Sequence, residues 1–215
     1  MDEHGTQVAY WDGVGATKTF THPVNHAWLA ELNRDARILD YGCGYGRVMA
    51  ELSEHGFTDV RGVDPSPALI DRGRRSRPDL RFDVMERPPA LAYEAASFDV
   101  ILLFAVLTCV PEDDARRALI DEVVRVLRPG GLLYVSDVPL QDDERSRDRY
   151  EAHAARSGTP YGVFATDDGA ACRHHERSNL RALLSGFDVL QEREFDVASM
   201  NGHQSRAVQL LARRR

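Results

Sequence analysis

The chain has 215 residues and a formal net charge of −7, with 43% hydrophobic and 28% charged residues. That is enough for one globular domain with a sizeable core. It is the wrong charge balance for a nucleic-acid partner, which needs clustered Lys and Arg against phosphate. The longest apolar run, Val100 to Leu107, is too short to cross a bilayer. The acidic, polar opening "MDEHGTQVAY" is not a secretory signal. Cys43, Cys109 and Cys172 are widely spaced and form no CxxC, so neither a disulfide framework nor a metal site is expected, and a reducing cytoplasm is.

Along the chain, β-like and helix-like stretches alternate. Residues 1–34, rich in aromatics, read as an N-terminal lid. Arg37 to Tyr41 reads as a strand, Arg47 to His55 as a helix stopping at Gly56, and Val60 to Asp64 as a second strand. A helix follows from Pro67 to Arg77, then a strand from Leu80 to Val84. Phe98 to Phe104 is apolar apart from Asp99, as buried parallel strands are. Glu112 to Leu127 carries Ala115, Leu119, Val123 and Val126 at helical spacing and stops at "RPGG", before a strand from Leu132 to Asp137. Residues 139–178 are charged and His-rich, about forty residues that read as a substrate-lid insertion. A helix from Asn179 to Leu184 and strands Phe187 to Glu192 and Ala207 to Leu211 close the chain. The alternation predicts a single α/β domain with a Rossmann-like, doubly wound sheet. Residues 35–138 would be its cofactor-binding core and residues 179–215 its C-terminal helix and hairpin.

The most informative stretch is "RILDYGCGYGRVMAEL", where Gly42, Gly44 and Gly46 alternate between a strand and a helix. Ligands of open parallel sheets bind beyond the strand C-termini, and glycine there brings backbone amides close to them. The dinucleotide fingerprint G-x-G-x-x-G fails because Arg47 takes its third glycine's place, and no GK[ST] follows to make a P-loop. Asp64, about twenty residues on, ends the second strand, where a carboxylate can accept two ribose hydroxyls. Met85 and Glu86, at the rim of the third strand, can frame an adenine edge.

The ordered motifs "VAYWD", "ILDYGCGYGRV", "GVDPSPALI", "SFDVILLFAVLTCV" and "EVVRVLRPGGLLYVSD" resemble those of class I S-adenosylmethionine-dependent methyltransferases of the small-molecule, type 11 kind. The resemblance covers about residues 10–137. It implies a seven-stranded sheet with a reversed C-terminal hairpin and S-adenosyl-L-methionine as cofactor. By it, Asp40, Gly42, Gly44 and Gly46 hold the methionine portion, Asp64 the ribose, and Met85 and Glu86 the adenine. Phe104 and Ala105 lie beside the methionine, Tyr10 meets its carboxylate, and Trp11 helps cover the cofactor. Two positions depart from the family's pattern. Cys109 stands where the family often has His, and Glu86 is one methylene longer than the usual Asp.

A sulfonium methyl is already activated, so in-line displacement needs alignment and desolvation more than a catalytic triad. Candidate acceptor contacts come from the insertion: Tyr150, His153, Tyr161, Asp167, Asp168, His174 and His175. His174 or His175, with Tyr161 beside them, would supply catalytic groups, one imidazole acting as a base oriented by a carboxylate such as Asp167. Neighbouring residues on a strand face opposite ways, so only one of the two histidines can enter a given pocket. Asn201 and His203, in the "SMNGHQS" turn, become acceptor contacts if that turn faces the pocket. The acidic chain and His-rich lid point to an uncharged or cationic small-molecule acceptor. Two other functions fit parts of the pattern: a nicotinamide-dependent oxidoreductase, and a binding protein that keeps the pocket without turnover.

Overall fold

The computed structural model describes residues 3–215, with side chains from Gln7 onward. After helix α1 (Glu3–Asp12), the chain alternates β1 (Arg37–Tyr41), α2 (Arg47–Glu54), β2 (Asp59–Asp64), α3 (Pro67–Ser76) and β3 (Arg81–Val84). It continues with β4 (Phe98–Phe104), α4 (Asp113–Val126), β5 (Leu127–Asp137) and α5 (Glu144–Ser157). A small hairpin, β6 (Val163–Ala165) and β7 (Ala171–Arg173), leads into α6 (Arg177–Leu183), β8 (Phe187–Ala198) and β9 (Gln204–Arg214). Seven strands form one sheet in the order β3-β2-β1-β4-β5-β9-β8. The first five are parallel, and β9 runs antiparallel to both β5 and β8. Strand order reverses between β1 and β4, so the crevice for a ligand opens beside the C-terminus of β1.

The period of two along the strands divides the core between two faces. Ile38, Val100 and Leu102 pack with Met49 and Leu52 of α2 and Ile70 of α3. Leu39, Ile101 and Leu103 pack with Leu119 and Val123 of α4 and Leu180 of α6. Each of these buried side chains contributes about 1.5–3 kcal/mol, which is why β4 reads as an apolar run from Val100 onward. A third, smaller cluster of Tyr10, Tyr150, Phe164, Ala170 and Cys172 joins α1 to the insertion.

Three elements differ from the sequence expectation. "RPGG" does not separate α4 from a later strand. β5 begins directly at Leu127, and Arg128 to Gly131 bulge where the register with β4 jumps from Phe98–Leu127 to Val100–Leu132. Pro and a positive-φ Gly130 are tolerated at such a bulge. Residues 139–178 hold a complete helix and a hairpin. α5 buries only Ser146 and Tyr150, so apolar periodicity hardly marks it. Its signals are its ends, an Asp143 side chain accepting the Ser146 N–H at 3.0 Å and a left-handed Gly158. Finally, β8 runs to Ala198 because an edge strand keeps its backbone ladder while most of its side chains face solvent.

Candidate active site

Past β1 the backbone turns sharply through Gly42, Gly44 and Gly46, all at positive φ. A Cβ on Gly44 would lie 2.5 Å from the Phe20 ring, and one on Gly42 2.7 Å from Val106. Only glycine permits both the conformation and the approach. The turn is held from β2: the Val63 carbonyl accepts the N–H groups of Gly42 (2.8 Å) and Cys43 (3.0 Å). Asp64 accepts the Gly44 N–H on one carboxylate oxygen and the Ser66 N–H on the other, both at 2.9 Å. Ser66 in turn caps α3, accepting the Leu69 N–H at 3.2 Å. Asp12, at the end of α1, accepts the Ser66 hydroxyl (2.8 Å) and the Ala68 N–H (2.9 Å), fastening the N-terminal segment over this corner.

Two buried carboxylates face this turn. Burial pushes Asp64 up to about 6 against the pull of its Ser66 and Gly44 donors. Burial also pushes Asp40 up to about 7, with Arg47 pulling it down and Asp64 adding to the rise. Asp40 Oδ2 is buried without a partner. An orphaned carboxylate oxygen beside a glycine turn fits a cationic group, and each Asp64 oxygen keeps a lone pair for a ribose hydroxyl. The donor set therefore suits a nucleoside that carries positive charge.

These residues line a cavity of about 890 Å³, large enough for a cofactor and a second small molecule. Asp40, Gly42, Gly44, Asp64, Met85, Phe104, Ala105 and Trp11 border it. Ala105 itself sits at φ 57, its N–H on the Ser136 carbonyl at 2.7 Å. Three expected cofactor residues lie off the cavity wall. Gly46 forms the left-handed N-cap of α2. Glu86 is exposed. Tyr10 is buried within the lid, its hydroxyl spent on Asp168 at 3.1 Å.

The lid closes through that same Asp168. It pairs with Lys18 Nζ at 2.5 Å and accepts from Thr166 (2.6 Å), Tyr10 and Asn201 (3.3 Å). Partial burial raises its carboxyl, but these four donors outweigh that and hold it well below the usual carboxylate range. Lys18 is thus taken by the lid, with Asn201 Oδ1 as its second partner at 2.6 Å. The N-terminal segment, the insertion and the β8–β9 turn meet at one carboxylate. Asn201 and His203 both border the cavity.

The structure separates the two adjacent histidines, which lie just past the end of β7, with His175 bridging to Pro139. His174 borders the cavity, buried, its Nδ1 2.6 Å from the Tyr150 hydroxyl. Tyr150 accepts the Gln141 N–H at 3.3 Å and Arg149 approaches the same Nδ1, so the network assigns Nδ1 as acceptor and the proton to Nε2. Burial first, then Arg149 and His175, push the His174 imidazolium far below the usual range, so the ring is neutral. Its partner is Tyr150, where the sequence suggested Asp167. His175 lies behind the wall, 2.5 Å from Arg116 through Nδ1 and 3.8 Å from Asp137 through Nε2. Burial, with Arg116 and Arg173 nearby, lowers it to about 3. Tyr161 is 46% exposed, its ring edge-on to Tyr150 and outside the cavity lining.

Other residues border the cavity as well, Phe20 and His22 of the N-terminal aromatic stretch among them. His22 donates or accepts through Nδ1 at 2.8 Å to Ser136 Oγ, and burial followed by Arg47 lowers it to about 4. Phe20 stacks on Tyr45 with centroids 5.4 Å apart, covering the glycine turn. Arg145 and Arg149, on α5, belong to no motif in the sequence, although their spacing with His153 is four and four.

A switch-point crevice with a glycine turn, a strand-end acid and an unpaired buried carboxylate defines a nucleoside-binding domain of the doubly wound class. Comparison with known proteins narrows this further. Residues 17–192 match the family described as Methyltransferase domain, and the chain belongs to it. The chain is 30% identical over 138 residues to a ubiquinone biosynthesis O-methyltransferase of Xylella fastidiosa, covering 60% of this chain and 54% of that protein. It is 30% identical over 181 residues to the 27-O-demethylrifamycin SV methyltransferase of Amycolatopsis mediterranei, covering 69% and 64%. The chain thus spans about half to two thirds of the length of these relatives. A solved SAM-dependent methyltransferase from Methanosarcina mazei superposes with a TM-score of 0.81 at 25% identity, covering 89% of this chain and 98% of that one. The cofactor of this family is S-adenosylmethionine, and Asp40, the glycine turn and Asp64 fit it.

Proposed function

We propose that this chain transfers a methyl group from S-adenosylmethionine to a small-molecule acceptor. The observation that carries the reading is one continuous cavity, walled on one side by the glycine turn, Asp40 and Asp64 and on the other by α5, His174 and the β8–β9 turn. Asp40 and the glycine turn would hold the methionine portion, Asp64 the ribose, and Met85 the adenine. The cofactor supplies a methyl group already activated on a sulfonium. The chain's own contribution is to align the acceptor and exclude water, which is worth up to ~7–11 kcal/mol of barrier. With Nδ1 engaged by Tyr150, His174 serves the acceptor as a hydrogen-bond donor, and it orients an oxygen instead of removing its proton. Two similar proteins are named for O-methyl transfer, which favours an oxygen nucleophile here. His175 fastens the insertion to α4 through Arg116. Three unpaired thiols favour a reducing cytoplasm. Among the described residues no helix is long and apolar enough to cross a membrane.

The test is incubation with methyl-labelled S-adenosylmethionine and fractionated small-molecule extract. Saturable transfer of label into a low-mass product supports the reading. Binding of a nicotinamide dinucleotide in place of the sulfonium cofactor, or cofactor binding with no product from any extract, contradicts it.

A further inference from the structure

The face of α5 that borders the cavity is basic, and the chain does not neutralise it. Arg145, Arg149 and His153 follow at four-residue intervals, which puts them on one helix face, and all three border the cavity. The acids of the same helix, Glu144, Asp148 and Glu151, are exposed and off the cavity wall. Arg149 is the centre of this stripe. Its guanidinium carbon lies 3.8 Å over the Phe164 ring and 5.3 Å from that of Tyr150. Its hydrogen-bond contacts, to Ser146 Oγ and His174 Nδ1, are both long at 3.4 Å, and its Nε is buried without a partner. Among the described residues no carboxylate oxygen lies within 4.0 Å of either the Arg145 or the Arg149 guanidinium.

The other arginines on the cavity wall each have a carboxylate partner within the chain, although Arg47 Nε, like Arg149 Nε, is buried without a hydrogen-bond partner. Arg173 donates to Pro111 O (2.8 Å) and pairs with Asp113 (3.1 Å). Arg47 pairs with Glu51 at 3.2 Å and donates to the His22 carbonyl. A half-buried guanidinium with five donors and only weak contacts costs free energy until an anion reaches it. Its planar fork matches a carboxylate in bidentate fashion. Aromatic rings beneath it fix its orientation without consuming its donors.

We infer that the methyl acceptor is an anion, carrying a carboxylate or a comparable anionic oxygen group that Arg149 binds, with Arg145 adding to the attraction. The inference rests on reading this cavity as the site of methyl transfer. The chain's net charge of −7 points the other way. The α5 stripe prevails over that net charge because exposed charges more than about 8 Å away are screened at physiological salt, and the acids that also border the cavity, Glu112, Asp113 and Asp167 among them, lie outside α5.

The experiment uses a panel of small hydroxy-acids, 3,4-dihydroxybenzoate among them, each paired with its own neutral amide. Binding is measured by calorimetry to the full chain saturated with S-adenosylhomocysteine. The expected result is that one or more acids bind about ten-fold or more tightly than their amides. Arg149→Gln should abolish this preference, and Arg149→Lys should retain part of it. Arg145→Gln, at an exposed position, should reduce the preference without affecting the fold. S-adenosylhomocysteine affinity should stay within about two-fold in all three variants, which excludes damage to the cofactor half, and binding of the neutral amides should be unchanged, a readout that general loosening of the lid would move. If no acid outbinds its amide, or if Arg149→Gln keeps the preference, the inference is overturned. Failure of the wild-type chain to bind S-adenosylhomocysteine would instead overturn the functional reading beneath it.

Discussion

The cofactor half of the cavity and the lid half are built from different materials. Around β1 and β2 the wall is backbone: three positive-φ glycines, amides held by the Val63 carbonyl, and two short acids at strand ends. Around α5 and the β8–β9 turn it is long side chains drawn from three distant segments and tied at Asp168. Backbone walls depend on which residues are small, so one substitution there strains the site without a rotamer to relieve it. Side-chain walls share their contacts and yield gradually. The lesson is that cofactor binding and acceptor binding should be separable by mutation.

The sharpest break is Gly44→Val. A Cβ there meets Phe20 at 2.5 Å and the backbone stays at φ 56. Overpacking and left-handed strain together should weaken S-adenosylhomocysteine binding about a hundred-fold by calorimetry. Next in size, Asp168→Ala cuts the lid's shared anchor. The Michaelis constant for the acceptor should rise about ten-fold while cofactor affinity changes less than about three-fold. An equal loss of both would erase the distinction between the two halves.

The pH dependence comes third. Asp40, near 7, and Asp64, near 6, sit above an ordinary carboxyl. In the unliganded chain they are partly protonated between pH 4 and 7 while the unfolded chain is ionised. The folded state then binds more protons, so these groups make the empty protein less stable as pH rises through that window. A cationic ligand reverses the preference because it favours both carboxylates ionised. Cofactor affinity should therefore rise several-fold between about pH 5.5 and 8 with proton release on binding, and Asp40→Asn should flatten the rise. The smallest effect belongs to Tyr161→Ala. Exposed and off the cavity wall, it should leave turnover unchanged and shift stability by about 0.5 kcal/mol or less by thermal melting.

The same contrast explains what the amino-acid sequence makes legible. β1, β2, β4 and the turn between β1 and α2 announce themselves because buried strands are apolar and tight turns need glycine. Asp64 is readable because a strand end about twenty residues past the glycines is a fixed place in this topology. α5 was hidden because a helix that buries only Ser146 and Tyr150 shows no apolar stripe, although its Asp143 cap and Gly158 stop were present. The Asp168 node could not be read at all, since Lys18, Asp168 and Asn201 are brought together only by folding. Tyr10 illustrates the limit: an aromatic beside the cofactor segment in sequence packs instead into the lid. Strand alternation does not govern His174 and His175, which both lie past the end of β7, and which one faces the cavity depends on that connection.

The most direct measurement is calorimetric titration of S-adenosylhomocysteine into the wild-type chain, Asp64→Asn and Asp168→Ala. One-to-one saturable binding, weakened at least ten-fold by Asp64→Asn and nearly untouched by Asp168→Ala, is the predicted result. A wild-type chain that takes up none of this compound, or one whose uptake ignores the Asp64 substitution, would contradict the assignment of the glycine turn and its strand-end acids as the cofactor's seat.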